Sequence, residues 1–487
     1  MTNSLGISPL SRRQILRSSG TGFGYLALAG LLGQNRQATA SEQSAEERPL
    51  APKAPHFPTK VKRIIFLFME GAMSHVDTFE YKAALQQNDQ KPGPGGGKLV
   101  ASKFRFTQHG HSGAWVSELY PHVAKQVDKL CFIRGLHTDT PAHPQAVIQL
   151  HTGAKIASLT RPSMGSWLLY GLGSENQDLP GYITVNPSPN FGGAVNYGTA
   201  FLPAYYQGTK VTDTGYLPNL KASQLTSLQR RQLDLVQSMN SDLARQPGAP
   251  DELDGIIQSY ELAFRMQGKV PELLDISTEP QHVQDAYGVK PGPAGSFARQ
   301  CLLARRLSEA GVRFVEIRQG GWDHHNNLHK GLTDNAAATD QPTAALLADL
   351  EQRGLLEDTL VLFGSEFGRM PTAQGVDGRD HNITGFPMWM AGAGVKAGFS
   401  YGSTDEYGLH AVEGRMHTSD LHATLLALMG LDHERLTYNY GGRDFRLTDI
   451  EGNVIKEIFA WDLAGDSSPG FPDRLPRVLF PSLNDKE

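Results

Sequence analysis

The sequence predicts an α/β fold: a central, mostly parallel sheet flanked by helices on both faces, with a helical hairpin inserted outside it. Three observations predict this. Short apolar, β-branched runs of strand length recur along the chain, at 61–69, 130–134, 182–186, 313–317, 359–363 and 387–391. Segments of helical period lie between them, at 145–151, 164–172, 296–310, 339–353 and 419–429. Strands that alternate with helices argue for parallel pairing. A long, charged amphipathic pair at 222–245 and 252–274 interrupts the alternation and reads as the hairpin. Segment 187–220 has Pro, Gly, Asn and Tyr without a period and reads as a loop or cap.

The N-terminus carries Arg12-Arg13, an apolar stretch over 20–33, and the small-residue pattern Ala38-Thr39-Ala40. These are the parts of a secretory signal, and the paired arginines point to the twin-arginine route. The expected organisation is a signal peptide over 1–40, a polar, proline-rich linker over 41–60, an α/β domain over 61–460 with its insertion at 222–275, and a tail over 461–487. An uncleaved N-terminal anchor is the alternative. The expected location is periplasmic or extracellular. Because that route carries folded proteins, a metal can be inserted before export.

Charged residues make up 20% of the chain and the net charge is −5, so nothing points to nucleic acid. No stretch after the signal is apolar enough to cross a membrane. Cys131 and Cys301 both sit in apolar runs and read as buried thiols. Two cysteines are too few for a thiolate metal site, so any metal must be held by histidine and carboxylate.

Ligands of open α/β sheets bind outside the carboxyl ends of the strands. Glu70 and His75 follow the first strand, Asp323-His324-His325 follow the strand at 313–317, and Glu366 and Arg369 follow the strand at 359–363. Asp380-His381 come shortly afterwards. Carboxylate with imidazole suits a divalent metal such as Zn, Mn or Fe. Asp323 and His325 are two apart, so in an extended segment they face the same way. Asp380 and His381 are adjacent and, on a loop, could both turn inward. His143 stands at the start of a helix, near Thr138 and Thr140, where an acid/base, a metal ligand or a nucleophile is possible. Arg369 and Arg379 either clamp an anionic substrate or balance the carboxylates. Thr418 or Ser419 reads as the cap of the helix at 419–429, Asp420 as its first-turn charge, and His417 as a better ligand candidate than His422. The glycine run 93–97 lacks the lysine and helix start of a phosphate loop.

The phrases FLFMEGAMSHVDTF, HTGAKIASLTRPSMGSWLLYGLGSE, GGWDHHNN, LFGSEFGRMP, GRDHN, DLHATLLALMGLDHERL and GRDFRLTDIEGNVI span about 61–456. On them the chain resembles the exported bacterial domain-of-unknown-function 1501 family. That family looks like a branch of the alkaline phosphatase and sulfatase superfamily, whose members hydrolyse phosphate or sulfate esters with one or two metals. The resemblance implies an alkaline phosphatase-like sheet with metal at the strand carboxyl ends. It implies Glu70, Asp323, His325, Glu366, Asp380 and His381 as metal ligands for Zn, Mn, Fe or Ca. His143 stands where the superfamily has its nucleophile, with Thr138 and Thr140 out of register, and becomes an acid/base or a phosphorylated intermediate. Phe367 replaces the histidine of the usual Asp-His pair, for which Asp380-His381 substitute. Arg369 becomes an anion clamp, and the helix after Asp420 becomes structural. The implied activity is metal-dependent hydrolysis of a small-molecule or carbohydrate ester. The alternative is an inactive relative that binds a glycan or a protein, with Tyr197, Tyr205, Tyr206 and Tyr216 as a stacking surface.

Overall fold

The computed structural model describes residues 49–461, apart from 95, 156–159, 218–219, 221–225, 245, 247–251 and 292–294. The expected export signal, the first part of the expected linker and all but the first residue of the expected tail lie outside the described residues.

The strands that matter for the site are β1 (Arg63–Met69), β2 (Leu130–His137), β3 (Tyr182–Val185), β4 (Thr209–Val211), β5 (Phe314–Gln319) and β6 (Thr359–Gly364). Further along come β7 (Gly368–Gln374), β8 (Gly378–Asn382), β9 (Phe386–Gly392), β10 (Phe399–Tyr401) and β11 (Met416–His417). Nine of these form one sheet in the order β10-β2-β9-β6-β1-β5-β3-β4, with β11 beside β2. All pairings are parallel except those of β9, which runs antiparallel to both β2 and β6. β7 and β8 form a separate antiparallel hairpin.

The central strand β1 is buried from Ile64 to Met69. A strand covered on both faces needs this continuous apolar run. Phe66 and Phe68 point to one face, where the ring of His151 meets them at 6.0 and 4.9 Å. Leu67 points to the other face in register with Phe363, whose ring contacts Phe79, Tyr120 and Trp389. Each such ring contributes about 1.5–3 kcal/mol by leaving water.

The helices that matter here are α1 (His143–Thr152), α2 (Met164–Leu172), α3 (Thr226–Ala244), α4 (Glu252–Leu274), α5 (Phe297–Glu309), α6 (Leu328–Gln352) and α7 (Thr418–Leu428). α3 and α4 are the expected hairpin helices. Arg230 grips Glu261 with two hydrogen bonds of 2.8 and 2.6 Å. Leu262, Met266, Val270 and Leu274 form the buried stripe of α4, spaced four apart as one helix face requires.

Three expectations change. Segment 187–220 is not wholly a loop, because β4 extends the sheet edge beside β3. α6 begins at Leu328 rather than near 339; Leu332 and Ala336 continue its buried face toward the N-terminus. The hairpin β7–β8 lies outside the expected strands; its three-residue loop, 375–377, has the left-handed Gly375 as its turn residue. Cys131 and Cys301 are free and buried, as expected.

Candidate metal centre

Strands β6, β1 and β5 are neighbours and parallel, so their carboxyl ends open on one edge. The turn after β1 is tight: Gly71 has φ +110°, and a Cβ there would stand 2.7 Å from the Asp323 backbone nitrogen. Only glycine lets the two backbones approach so closely. Arg369 then ties the edge together. It is fully buried and donates from Nε to Ala72 O (2.9 Å), from Nη1 to Arg379 O (3.0 Å) and from Nη2 to Gly71 O (2.6 Å) and Asp323 Oδ1 (2.5 Å). Its donors face the protein, so it is a brace for Asp323 rather than the expected anion clamp.

His143, Asp323, His325 and His381 converge, each offering one ligand atom within 4.8 Å of the others. Asp323 Oδ1 lies 3.1 Å from His143 Nε2, 2.9 Å from His325 Nε2 and 3.4 Å from His381 Nε2. The Nε2 atoms of His325 and His381 are 2.9 Å apart. Donors held ~2.1 Å from one ion at tetrahedral angles stand ~3.4 Å from each other, so the cluster has about the span of a single site.

The opposite nitrogen of each imidazole has an oxygen acceptor. His143 Nδ1 faces Glu366 Oε1 at 2.6 Å, His381 Nδ1 faces Pro141 O at 2.6 Å, and His325 Nδ1 faces Gln374 Oε1. A neutral ring that donates from Nδ1 carries its lone pair on Nε2. Three lone pairs therefore point at one place, beside a carboxylate. The buried Nε2 of His143 has no hydrogen-bond partner, because its 3.1 Å approach to Asp323 is not aligned for one. A cation satisfies this donor set, and three nitrogens with one oxygen fit Zn, Mn or Fe. They do not fit Ca, which takes six to eight oxygens.

Without a cation, burial opposes protonation of His143, but Asp323 and Glu366 outweigh it and raise the ring to about 9. Asp323 is likewise opposed by burial, yet His143, His381 and Arg369 hold its carboxyl far below the usual range. His143 is the closed back of the site: Phe191 stacks on it at 5.1 Å and Phe367 packs at 4.8 Å. Asp323, with 40% of its side chain exposed, is the open front.

The remaining candidates are placed elsewhere. Glu70 lies on the same face as Phe66 and Phe68 and pairs with Arg318 at 2.5 Å, away from the cluster. Glu366 Oε1 accepts from Gly71 N at 2.9 Å and reaches the cluster only through His143. Asp380 is exposed, and its Oδ1 accepts from the His381 backbone N–H. These two residues lie on a strand, where neighbours face opposite sides, so only His381 turns inward. In the loop after β5 both Asp323 and His325 reach the cluster, while His324 points under Gly331 of α6. Arg379 is buried on Asp77 at 2.8 Å. Thr138 donates to Gln149 and Thr140 accepts from Ala142 N.

His417, not Thr418 or Ser419, caps α7: its side chain accepts from Ser419 N, and Asp420 accepts from the His417 backbone N–H. His417 is not in the cluster. Tyr206 is buried and Tyr216 is exposed, so the four tyrosines of 187–220 do not make one stacking surface. Sequence reasoning missed Phe191 and Gln374. Gln374 was legible only with the hairpin register known.

Fold and site define a mostly parallel α/β protein with a candidate imidazole–carboxylate metal centre at the carboxyl edge of its sheet. The chain belongs to the family described as "Protein of unknown function (DUF1501)", which matches residues 61–459. Comparison with curated proteins gives no match. Among solved structures it is similar to the lipoteichoic acid synthase LtaP from Listeria monocytogenes (8% identity, TM-score 0.36, covering 80% of this chain and 77% of that one). It is also similar to the alkaline phosphatase of the Antarctic bacterium TAB5 (12%, TM-score 0.33, 77% and 99%). A third is the PsFucS1 sulfatase from Pseudoalteromonas sp. (15%, TM-score 0.35, 77% and 68%). Among the described residues no helix is long and apolar enough to cross a membrane.

Proposed function

We propose that this protein is an exported, metal-dependent hydrolase of phosphate or sulfate esters, acting on a small molecule or a carbohydrate. The observation that carries the metal is the set of three imidazoles whose Nδ1 atoms face oxygen acceptors, so that their Nε2 lone pairs meet at Asp323. The ester class rests on the motif resemblance, and export rests on the paired arginines and the small-residue site near residue 40.

A divalent ion in such a site supplies Lewis acidity to an ester oxygen and to water. His143, Asp323, His325 and His381 hold it. Arg369 orients Asp323, Glu366 fixes the tautomer of His143, and Phe191 and Phe367 wall off the back of the site. A second reading, a protein that holds metal but turns nothing over, is favoured by the engagement of the Thr138 hydroxyl on Gln149.

The test is metal analysis of purified protein, followed by aryl phosphate and aryl sulfate panels. About one equivalent of Zn, Mn or Fe with ester turnover is expected. Less than about half an equivalent overturns the metal reading, and full loading without turnover of any ester favours the second reading.

A further inference from the structure

We infer that Gln374 is a positioning residue of the metal centre, acting on His325; this rests on the metal reading above. The hairpin β7–β8 reaches the centre at three points. His381 on β8 is one of the four converging residues, and Arg369 on β7 braces Asp323. Gln374, the last residue of β7, gives its Oε1 to His325 Nδ1. His325 itself stands on a loop with no regular hydrogen bonding around it, and its ring is partly exposed.

The hairpin is seated firmly enough for this role. The Arg379 side chain is buried against Asp77. Asp377 accepts from Asn327 N and Leu328 N, through Oδ1 at 2.9 Å and its backbone oxygen at 3.1 Å. Gly378 crosses the loop so closely that a Cβ there would fall 1.8 Å from His325 O. The ladder slips between Arg379 and His381, opposite the stretch that contains Pro371. Pro371 has no N–H to pair with. The slip lets Gln374 and His381 both reach His325 from one hairpin.

The acceptors of the three rings differ. His143 has a carboxylate, His381 a backbone carbonyl, and His325 a side-chain amide. A backbone carbonyl cannot be deleted, and Glu366 also holds the β1 turn through Gly71. Gln374 is therefore the acceptor that can be altered with least disturbance to the fold. Outer partners of this kind set ring orientation and ligand basicity, and their loss costs about 10–100-fold in metal affinity.

The probe is Co(II), titrated into metal-stripped protein and followed by its visible absorption. Gln374→Leu is expected to weaken Co(II) binding about 10–100-fold and to change the absorption bands. Gln374→Glu, which keeps an acceptor, is expected to restore both. Thermal unfolding of the metal-free proteins is expected to coincide, which separates positioning from a structural role. A Gln374→Leu protein with wild-type affinity and bands overturns the inference, as does weakening matched by an equal loss of metal-free stability. Wild-type protein that takes up no Co(II) overturns the metal reading itself, and this inference with it.

Discussion

Two carboxylate–imidazole clusters share the segment 138–142, and their histidines are held in opposite ways. On one side Pro141 O takes the Nδ1 of His381 in the candidate metal centre. On the other, Asp139 faces His417 Nε2 at 3.2 Å, in an open polar cavity that also contains Lys155 and Glu451. His417 Nδ1 accepts from Ser419 N, so its proton sits on Nε2 and points at Asp139. Lys155 bridges Asp139 and Glu451 at 3.6 and 2.6 Å. This second cluster is internally paired, and the ring of His417 has no free lone pair for a cation. The two clusters contain the same kinds of residue. The difference lies in which ring nitrogen is already taken, and that decides between a ligand set and a structural network.

The largest expected effect breaks this comparison directly. His381→Ala should lower metal affinity by more than about 100-fold, beyond what loss of an outer partner does. His417→Ala should leave metal content unchanged and cost about 1 kcal/mol of stability as a lost helix cap. Metal analysis and urea unfolding of the two variants check both outcomes. Equal metal loss in both would erase the distinction.

The second prediction concerns the hairpin that serves only the first cluster. Arg379 and Asp77 form a buried ion pair, and burial, which raises the Asp77 pKa, is overcome by Arg379 so that the carboxyl lies below its usual range. Arg379→Leu leaves that carboxylate buried and unpaired, a change that costs about 3–5 kcal/mol. Denaturant unfolding should show that loss, together with weaker metal binding. A loss under about 1 kcal/mol would show that the hairpin is not anchored there.

The third prediction lies beside the second cluster, on α7. His422 is fully buried with Nε2 on Leu150 O, and burial pushes its pKa down to about 4. The unfolded ring titrates near 6.5, so the unfolded chain binds more protons between those values. The stability that the neutral ring contributes is complete above about pH 6.5 and is lost as pH falls towards 4, by up to about 3 kcal/mol. His324, also pushed down to about 4, shares the window. His422→Gln should flatten part of the slope of stability against pH between 6.5 and 4.5. A slope identical to that of the wild type would place the titration elsewhere.

The sequence by itself determined the central strands, because buried parallel strands must be continuous apolar runs, and 61–69 and 359–363 are unmistakable. It also placed Asp323 and His325 two residues apart, just past a strand end. Only the tertiary structure decided the rest. Asp380 turned outward because its segment is a strand and not a loop. Glu70 and Arg369 were taken by Arg318 and by backbone carbonyls far away in sequence. Most of all, the structure decided which nitrogen of each histidine is free. That depends on acceptors such as Glu366 and Gln374, 223 and 49 residues from the rings that they face, and no local pattern carries information over such distances.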